Sequence, residues 1–320
     1  MIALQLSRSR RRVWWVSLVL VTFSVVGLGL SWANPTIQAP LRPGLDFTGG
    51  TQIQLERRCE DACTPIQARA VEQILADVSL SPDGTTPPPK LDAARVQILD
   101  GGQSLSLRTP ALSAAQSQEV IAAVTPLAGP FETQGQAVDT IGPSLGSQLL
   151  VSSLVSLLVA FAGIALYISV RYDGRYAVLA LLALAHDVVI VCGIFAWLGQ
   201  WIGLEVDSLF AVALLTIAGY SVNDTVVVFD RIRERQREDR DLPVTDQVDR
   251  AVSTTLTRTI YTSGTTLMPL ITLILFGGAT LFWFAIALAL GVIVGSWSSI
   301  ALAPSLLTIW SGPRRTSASA

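Results

Sequence analysis

Six apolar segments dominate this sequence, and each is long enough to cross a lipid bilayer. A helix needs about 20 apolar residues to span a hydrocarbon core that is about 30 Å thick. The segments cover residues 13–33, 149–170, 176–198, 208–229, 257–276 and 281–309. Inside a bilayer the backbone polar groups must be satisfied within the protein, which favours helices. The sequence therefore predicts a polytopic α-helical membrane protein with six transmembrane helices.

The composition fits an integral membrane protein with one polar domain. Hydrophobic residues make up 51% of the 320 residues and charged residues only 14%, whereas a soluble domain carries about 25% charged residues. The net charge of -2 gives no reason to expect nucleic acid as a partner. The charges concentrate in residues 8–12, 42–132 and 230–250.

These features divide the chain into four parts. We assign residues 1–33 to the amino terminus and the first helix, and residues 34–146 to a polar domain. Residues 147–310 form a five-helix membrane domain with a polar loop near 230–256, and residues 311–320 form a tail. A cleaved signal peptide is the alternative for the first segment, but its apolar core is long for that role, which favours an uncleaved anchor.

Arginine placement predicts the orientation in the membrane. Arginines occupy the amino terminus, residues 171–175, residues 231–250 and the tail, whereas residues 199–204 and 277–280 contain no arginine or lysine. Basic residues in short loops favour the cytoplasmic side. We therefore expect both termini in the cytoplasm and the polar domain on the outer, periplasmic side.

The polar domain has an alternating order of predicted strands and helices. Strands are predicted at residues 51–56, 95–99, 104–108 and 131–138, with helices at 65–78 and from the capping residue Ser113 to 124. Residues 100–103, Asp-Gly-Gly-Gln, predict a hairpin turn. The order strand, helix, strand, strand, helix, strand predicts an α+β ferredoxin-like periplasmic domain between transmembrane helices 1 and 2. It contains no catalytic constellation, so we expect no enzyme activity here.

Two cysteines lie in this domain, and their state is open at this point. Cys59 and Cys63 are either bridged, as an oxidising compartment allows, or two free thiols. A metal site would need further ligands, and His186, the only histidine, lies in an apolar segment. We therefore expect no metal and no cofactor.

Asp224 lies inside the fourth apolar segment and is the main candidate functional residue. A charge at the centre of a membrane helix costs at least about 2.5–3.5 kcal/mol, so such a residue has a function and a partner by default. Arg258, at the inner end of the fifth segment, lies at a similar predicted depth. The pair predicts an ion relay, and a static ion pair between helices is the alternative.

Further polar residues in the segments form a second group of candidates. Asn223 neighbours Asp224, and Thr262 and Thr266 share a helical face with Arg258, so that two polar faces would line a hydrated path. His186 and Asp187 lie in the middle of the third segment. They either belong to the relay, or Asp187 bonds another helix or a partner subunit.

Five motifs, spread over nearly the whole chain, carry a resemblance to a known family. They are Gly-Leu-Asp-Phe-Thr-Gly-Gly at 44–50, Gly-Pro-Ser-Leu-Gly at 142–146, His-Asp-Val at 186–188, residues 219–234, and residues 255–263 around Arg258. The chain resembles the SecD/SecF family of protein-export membrane proteins, in the resistance-nodulation-division (RND) superfamily. Asp46-Phe47 and Asn223-Asp224-Thr225 favour the SecF branch.

The resemblance implies a function in the Sec pathway. By resemblance, Asp224 and Arg258 match the family's proton-pathway positions. A SecF subunit pairs with SecD into a twelve-helix unit in the bacterial inner (plasma) membrane and associates with the SecYEG translocon. The ATPase SecA drives the earlier stage, and the SecD–SecF unit uses the proton motive force to help draw translocating preproteins outward. The proton gradient would be the energy source, without a cofactor.

Three other functions compete with this expectation. The first is half of an RND-type proton-coupled small-molecule exporter, although such halves carry larger external domains. The second is a non-conducting scaffold subunit. The third is an intramembrane aspartyl protease built on Asp187 and Asp224. The sequence lacks the Gly-x-Gly-Asp signature of those enzymes, and Arg258 disfavours a shared proton, so we expect no enzymatic activity.

Overall fold

The computed structural model describes residues 6–59, 63–82, 87–92, 94–99, 102–132 and 135–310. The chain divides into two compact units. The membrane unit comprises Met1–Arg42 and Ser153–Ala320, and the polar unit comprises Pro43–Ser152. Asp100 and Gly101 of the predicted hairpin turn and the predicted tail at 311–320 lie outside the described residues.

The polar unit is built on a four-stranded antiparallel sheet. Its elements are α2 (Leu45–Thr48), β1 (Gly50–Glu56), α3 (Ala68–Asp77), β2 (Arg95–Leu99), β3 (Ser104–Thr109), α4 (Ala114–Ala128) and β4 (Ala137–Ile141). The strand order is β2-β3-β1-β4. This element order and sheet order are those of a ferredoxin-like domain, as the sequence predicts.

Alternation of apolar residues sets the register of this sheet. Ile53 and Leu55 of β1 pair directly with Leu107 and Leu105 of β3. All four side chains are buried in one core with apolar residues of α3 and α4. A shift by one residue would turn this apolar face to water, so burial fixes the pairing.

The amino terminus of α4 is closed by the capping residue that the sequence predicts. The Ser113 hydroxyl accepts a hydrogen bond from the Gln116 backbone N–H at 3.3 Å, and the Gln116 side chain accepts one from the Ser113 N–H at 3.1 Å. This reciprocal capping box satisfies two N–H groups that the helix cannot pair internally.

The last strand lies later in the chain than predicted. Residues 131–138 were expected to form it, whereas β4 spans Ala137–Ile141 and Phe131 makes only an isolated bridge with Arg57. Strand β4 is at the edge of the sheet, and most of its side chains are exposed. An edge strand of this kind carries no alternating apolar pattern, which explains the wrong boundary.

Two of the glycine motifs meet inside the polar unit. Gly50 has φ 122°, and a Cβ atom there would lie 2.5 Å from the backbone oxygen of Thr109. A Cβ on Gly146, in the first turns of α5 (Pro143–Arg171), would lie 2.7 Å from the backbone nitrogen of Gly49. The motifs at 44–50 and 142–146 therefore serve close backbone packing between α2, β1 and α5.

The membrane unit consists of long helices. These are α1 (Leu6–Ala33), α5, α6 (Gly174–Trp201), α7 (Ser208–Glu238), α8 (Val244–Phe276), α9 (Gly278–Trp297) and α10 (Ala303–Trp310). Helices α9 and α10 are joined by a π-helical turn, Ser298–Leu302, within one apolar span. Within the described residues, six helical spans are long and apolar enough to cross a membrane. The predicted polar loop near 230–256 is mostly helical.

Glycines allow the helices of this unit to approach closely. A Cβ on Gly193 of α6 would lie 2.3 Å from the backbone Cα of Ser24 in α1. In α9, a Cβ on Gly291 would lie 2.2 Å from Ile217 Cγ1, and one on Gly295 would lie 3.3 Å from Ser221 Cβ. The Gly-x-x-x-Gly pair at 291 and 295 therefore packs against α7, as such motifs do in membranes.

The contact between Gly193 and α1 gives a first prediction. Gly193→Ala would place a methyl group inside the van der Waals radius of the α1 backbone, so the two helices must separate. We expect the free energy of unfolding in detergent micelles to fall by about 1–3 kcal/mol. Gly163→Ala in α5 is the control, because nothing lies within 4 Å of its Cβ position. Equal stability of the two variants would contradict the proposed packing.

Candidate functional site

Asp224 is buried within the membrane unit, where the sequence predicts a functional carboxylate. Its residue surface is only 4% exposed, and it lies in α7 next to the buried Thr225. Its Oδ2 atom has no hydrogen-bond partner. Burying a polar atom without a hydrogen-bond partner costs free energy. Uptake of a proton by Asp224 would therefore change the free energy of burying this side chain.

Arg258 does not form the direct ion pair that the sequence suggests. No nitrogen of Arg258 lies within 4.0 Å of an Asp224 oxygen among the described ion pairs, although the Arg258 charge acts on Asp224 from a greater distance. Helix α8 turns Thr255, Thr259 and Ser263 into the bundle, whereas Arg258 is exposed. Adjacent helical residues point about 100° apart, so burying Thr259 turns Arg258 outward.

None of the described hydrogen bonds links the other predicted members of the polar path to Asp224. Asn223 is exposed on the outer face of α7. The Thr262 hydroxyl donates to the Arg258 backbone oxygen at 2.9 Å, and the Thr266 hydroxyl donates to the Thr262 oxygen at 2.8 Å. These hydroxyl protons are used within α8, as is usual for threonine in helices. The two polar faces are present, but the described hydrogen bonds do not join them.

Asp187 forms the centre of a buried hydrogen-bond network. It is fully buried, and its Oδ1 lies 2.9 Å from His186 Nδ1. The Ser221 hydroxyl of α7 donates to Oδ2 at 2.6 Å, and the Ser298 hydroxyl donates to the same oxygen at 2.7 Å. The bonds join α6 to α7 and to the span that α9 begins. Asp187 therefore hydrogen-bonds other helices, which is one of the two roles that the sequence suggests for it.

Local backbone features bring these three helices together. Gly295 lies opposite Ser221, and a Cβ there would be 3.6 Å from Asp187 Oδ2. Ser298 is the first residue of the π-helical turn. A π-helical turn adds a residue to the helix and redirects its side chains, and such turns often occur at functional sites. Sequence reasoning missed Ser298, although Ser296, Ser298 and Ser299 are a visible polar interruption of the last apolar segment.

A second polar cluster joins α7, α8 and α9. The Tyr220 hydroxyl donates to Ser263 Oγ at 3.1 Å, and the Ser263 and Ser296 hydroxyls are 2.6 Å apart. Tyr220 of this cluster and Ser221 of the Asp187 network are neighbours on α7. Both clusters therefore contact the helical turn that precedes Asp224. Interhelical hydrogen bonds of this kind hold membrane helices in register.

Unpartnered buried atoms identify where a proton or water would find a polar contact. Within the described part of the membrane unit, six side-chain atoms are buried without a hydrogen-bond partner, namely Ser24 Oγ, His186 Nε2, Asp224 Oδ2, Arg235 Nε, Asp239 Oδ2 and Thr259 Oγ1. His186, Asp224 and Thr259 of this set lie within the apolar spans of α6, α7 and α8. Buried polar atoms without a partner are rare in folded proteins, so each of them requires an explanation.

The remaining predicted site residues lie in the polar unit. Cys59 and Cys63 form a disulfide, with their Cα atoms 5.2 Å apart. Among the residues that the structure describes, no group of three or more His, Cys, Asp or Glu side chains could hold a metal ion. The absence of a metal or cofactor stays a prediction.

Comparison with known families identifies the chain's family. The family model of the C-terminal region of the protein export membrane proteins SecD/SecF matches residues 120–312. The family model of the SecD/SecF GG motif matches residues 37–59. The first match alone covers more than half of the chain. The chain belongs to the SecD/SecF family. Its members are protein-export membrane proteins, and this chain is a multi-pass member.

Relatives and solved structures agree with this assignment to the SecD/SecF family. The SecF protein translocase subunit of Prochlorococcus marinus is 58% identical over 95% of this chain and 94% of its own length. The corresponding Synechocystis protein is 41% identical over 96% and 94%. The crystal structure of Thermus thermophilus SecDF, described as a translocon-associated membrane protein, has a TM-score of 0.77 at 30% identity. That alignment covers 96% of this chain but only 38% of the Thermus chain.

The Asp187 network gives a prediction that separates its structural role from its charge. In Asp187→Asn, the amide oxygen can accept both serine hydroxyls and the amide NH₂ can donate to His186 Nδ1. We therefore expect its free energy of unfolding to stay within about 1 kcal/mol of the parent. Asp187→Ala leaves these groups unpartnered and should lose about 2–4 kcal/mol. Chemical denaturation in detergent micelles measures both.

The outcome is informative in either direction. Equal losses in Asp187→Asn and Asp187→Ala would show that the negative charge, and not the hydrogen-bond geometry, stabilises the network. Ser298→Ala is the matched single-bond variant, and it should lose about 1 kcal/mol because it removes one hydroxyl.

Proposed function

We propose that this chain acts as a SecF-type subunit that uses the proton motive force, together with SecD, to assist late protein translocation. The observation that carries the proposal is the carboxylate of Asp224, buried between apolar helices with one oxygen unpartnered. Intramembrane carboxylates of this kind mark proton relays. The family membership supplies the process that the proton flow would drive.

The proposed cycle begins when Asp224 takes up a proton from the outer side. Protonation removes the negative charge, and the attraction between Asp224 and the distant Arg258 disappears. Arg258, exposed on α8, is then free to change its position or its partner. One charge that crosses 100 mV supplies about 2.3 kcal/mol, which shifts a conformational equilibrium roughly fiftyfold. Release of the proton to the cytoplasm restores the interaction.

The Asp187 network has a different role in this cycle. Its oxygens accept bonds from His186, Ser221 and Ser298, so the carboxylate is satisfied within the membrane unit. Ser221 lies one turn before Asp224 on α7. We assign Asp187 to positioning: it holds the turn of α7 from which Asp224 projects, while Asp224 exchanges the proton.

The exposed arginine also supports a membrane partner. Within the most apolar 18 residues of each helix, only 11% of the residues of α8 and none of those of α5 are buried, against 56% of those of α6 and α7. Exposing a charged arginine side chain to lipid costs free energy. We infer that SecD covers the face of α8 that carries Arg258, and that Asn223 on α7 contacts the same subunit.

The remaining assignments follow from the family. We infer that the pair associates with SecYEG, receives preproteins whose export SecA has begun, and lies in the bacterial inner membrane with both termini cytoplasmic. The ferredoxin-like unit would then lie in the periplasm. No enzymatic activity and no cofactor are proposed. The competing aspartyl-protease role is disfavoured because Asp187 already accepts three hydrogen bonds.

The proposal predicts the effect of Asp224→Asn. The amide has a similar volume but cannot take up and release a proton, so export of a secreted reporter should fall by about tenfold or more. Cells would carry the variant as their only copy, with its membrane level and its co-purification with SecD measured in parallel. Arg258→Ala should behave alike.

Asp230→Asn is the matched control on the same helix. Asp230 is partly exposed and pairs with Arg171 at 3.1 Å, so its loss should leave export nearly unchanged. Normal export by Asp224→Asn, with normal assembly, would refute the proton relay and favour a scaffold subunit. An equal loss of export in Asp230→Asn, with normal assembly of both variants, would refute the specific role of Asp224.

A further inference from the structure

The arginine-rich end of α7 carries two distinct stripes of side chains. Arg231, Glu234, Arg235 and Glu238 recur at the helical spacing that places them on one face, and they form ion pairs along it. The second stripe consists of Arg233, Gln236 and Arg237 of α7, with Arg240 added from the turn beyond the helix end at Glu238. It contains three arginines and no acidic residue.

The arginines of the second stripe lack acidic partners. Among the ion pairs of the described residues, none joins Arg233, Arg237 or Arg240 to a carboxylate. Arg233 stacks on Tyr172, and Arg240 donates to the Arg237 backbone oxygen at 3.2 Å. On the first stripe, by contrast, Arg235 lies 3.0 Å from Glu238. These three neighbouring arginines therefore lie close together without an ion-paired carboxylate.

These arginines line a cavity at the end of the helix bundle. The cavity has a volume of about 350 Å³ and is bounded by the second stripe together with Asp173 and Tyr176. Tyr176 donates a hydrogen bond to Gln236 Oε1 at 2.9 Å, which fixes one wall. Asp173 is the only acidic residue of the lining, so the cavity is strongly cationic.

An adjoining cavity leads from this cationic space towards the apolar part of the bundle. Its volume is about 740 Å³, and it shares Asp173, Tyr176 and Gln236 with the first. Val178 of α6 and Leu307 of α10 add apolar walls, and Arg175 adds a further guanidinium. The combined space, which we call the arginine groove, has a cationic end and an apolar end.

Arg233 lies within the depth of the lipid headgroup layer, and the side chain of Arg237, whose backbone lies just beyond it, tilts back towards the amino-terminal, membrane end of α7. Asp230 marks the inner end of the apolar part of α7, and Arg233 lies roughly 4.5 Å further along the axis and Arg237 about 10 Å further. The headgroup layer extends about 5–8 Å beyond the hydrocarbon core on each side. Val178 lies about 6 Å inside α6, towards the core. A lipid could therefore present its headgroup and its first acyl carbons to the two ends.

We propose that the arginine groove binds an anionic phospholipid, with its phosphodiester headgroup on Arg233, Arg237 and Arg240 and the first part of its acyl chain against the exposed Val178. Guanidinium groups match phosphate oxygens in geometry and charge. Basic pockets between transmembrane helices at this end of a membrane protein bind anionic lipid headgroups. The exposed lining residues come from α6 and α7, so a bound lipid would bridge these two helices.

The test measures lipid retention by the full chain with native mass spectrometry. The purified protein is incubated with dioleoyl phosphatidylglycerol or with dioleoyl phosphatidylcholine, which has the same acyl chains and no net charge. We expect retention of phosphatidylglycerol only. The variant R233Q/R237Q/R240Q should retain roughly a hundredfold less, because each of the three arginines contributes about fivefold.

A matched variant removes the same number of charges from other arginines at this end of the bundle. R231Q/R235Q/R250Q deletes three arginines that pair with Glu234, Glu238 and Asp239. It should retain phosphatidylglycerol like the parent, and an equal loss would overturn the groove in favour of general charge attraction. If the triple groove variant unfolds, R237Q replaces it, since Arg237 is exposed and its loss should still lower retention about fivefold.

Three further outcomes would overturn the lipid assignment. Equal retention of phosphatidylcholine would exclude recognition of the anionic headgroup. Displacement of the lipid by excess inorganic phosphate, with the same dependence on the three arginines, would assign the groove to a free phosphate. Displacement by a short RNA oligonucleotide that is itself retained would assign the groove to nucleic acid.

Discussion

The cost of a carboxylate in hydrocarbon is the constraint on which the rest of the membrane unit depends. The protein buries two such groups on neighbouring helices and treats them differently. Asp187 receives hydrogen bonds from His186, Ser221 and Ser298 and is satisfied within the bundle. Asp224, one turn beyond Ser221, has an oxygen with no partner. The first arrangement is suited to holding three helices in place, and the second is suited to exchanging a proton.

Small residues allow the helices to approach closely enough to bring these polar groups together. Gly295 lets α9 approach Ser221 closely, and the π-helical turn that begins at Ser298 directs a hydroxyl to Asp187. Gly193 similarly brings α1 onto α6. Membrane helices have no hydrophobic driving force for association with one another, so close packing and hydrogen bonds must supply the stability. A glycine and a serine at the right positions therefore matter as much as the charged residues do.

The positive charges of the membrane unit divide by their surroundings. Arg258 lies within an apolar span but faces outward, which supports a second membrane subunit as its partner. Arg233 and Arg237 lie beyond the apolar span and face a cationic groove, which fits the phosphate of a lipid. Arg235 on the opposite stripe pairs with Glu238 and is neutralised within the helix. The surroundings, and not the residue type, therefore separate three uses of arginine.

The sequence alone determined the six apolar spans, the ferredoxin-like order of the polar unit and the unusual position of Asp224, because these depend on local composition and periodicity. It placed the last strand wrongly, since the exposed edge strand β4 has no alternating apolar pattern. Only the tertiary structure decided that Arg258 faces outward, that Asp187 bonds Ser221 and Ser298, and which arginines remain unpaired. These outcomes depend on helix rotation and on contacts between residues far apart in the chain, and hydrophobic periodicity does not specify either.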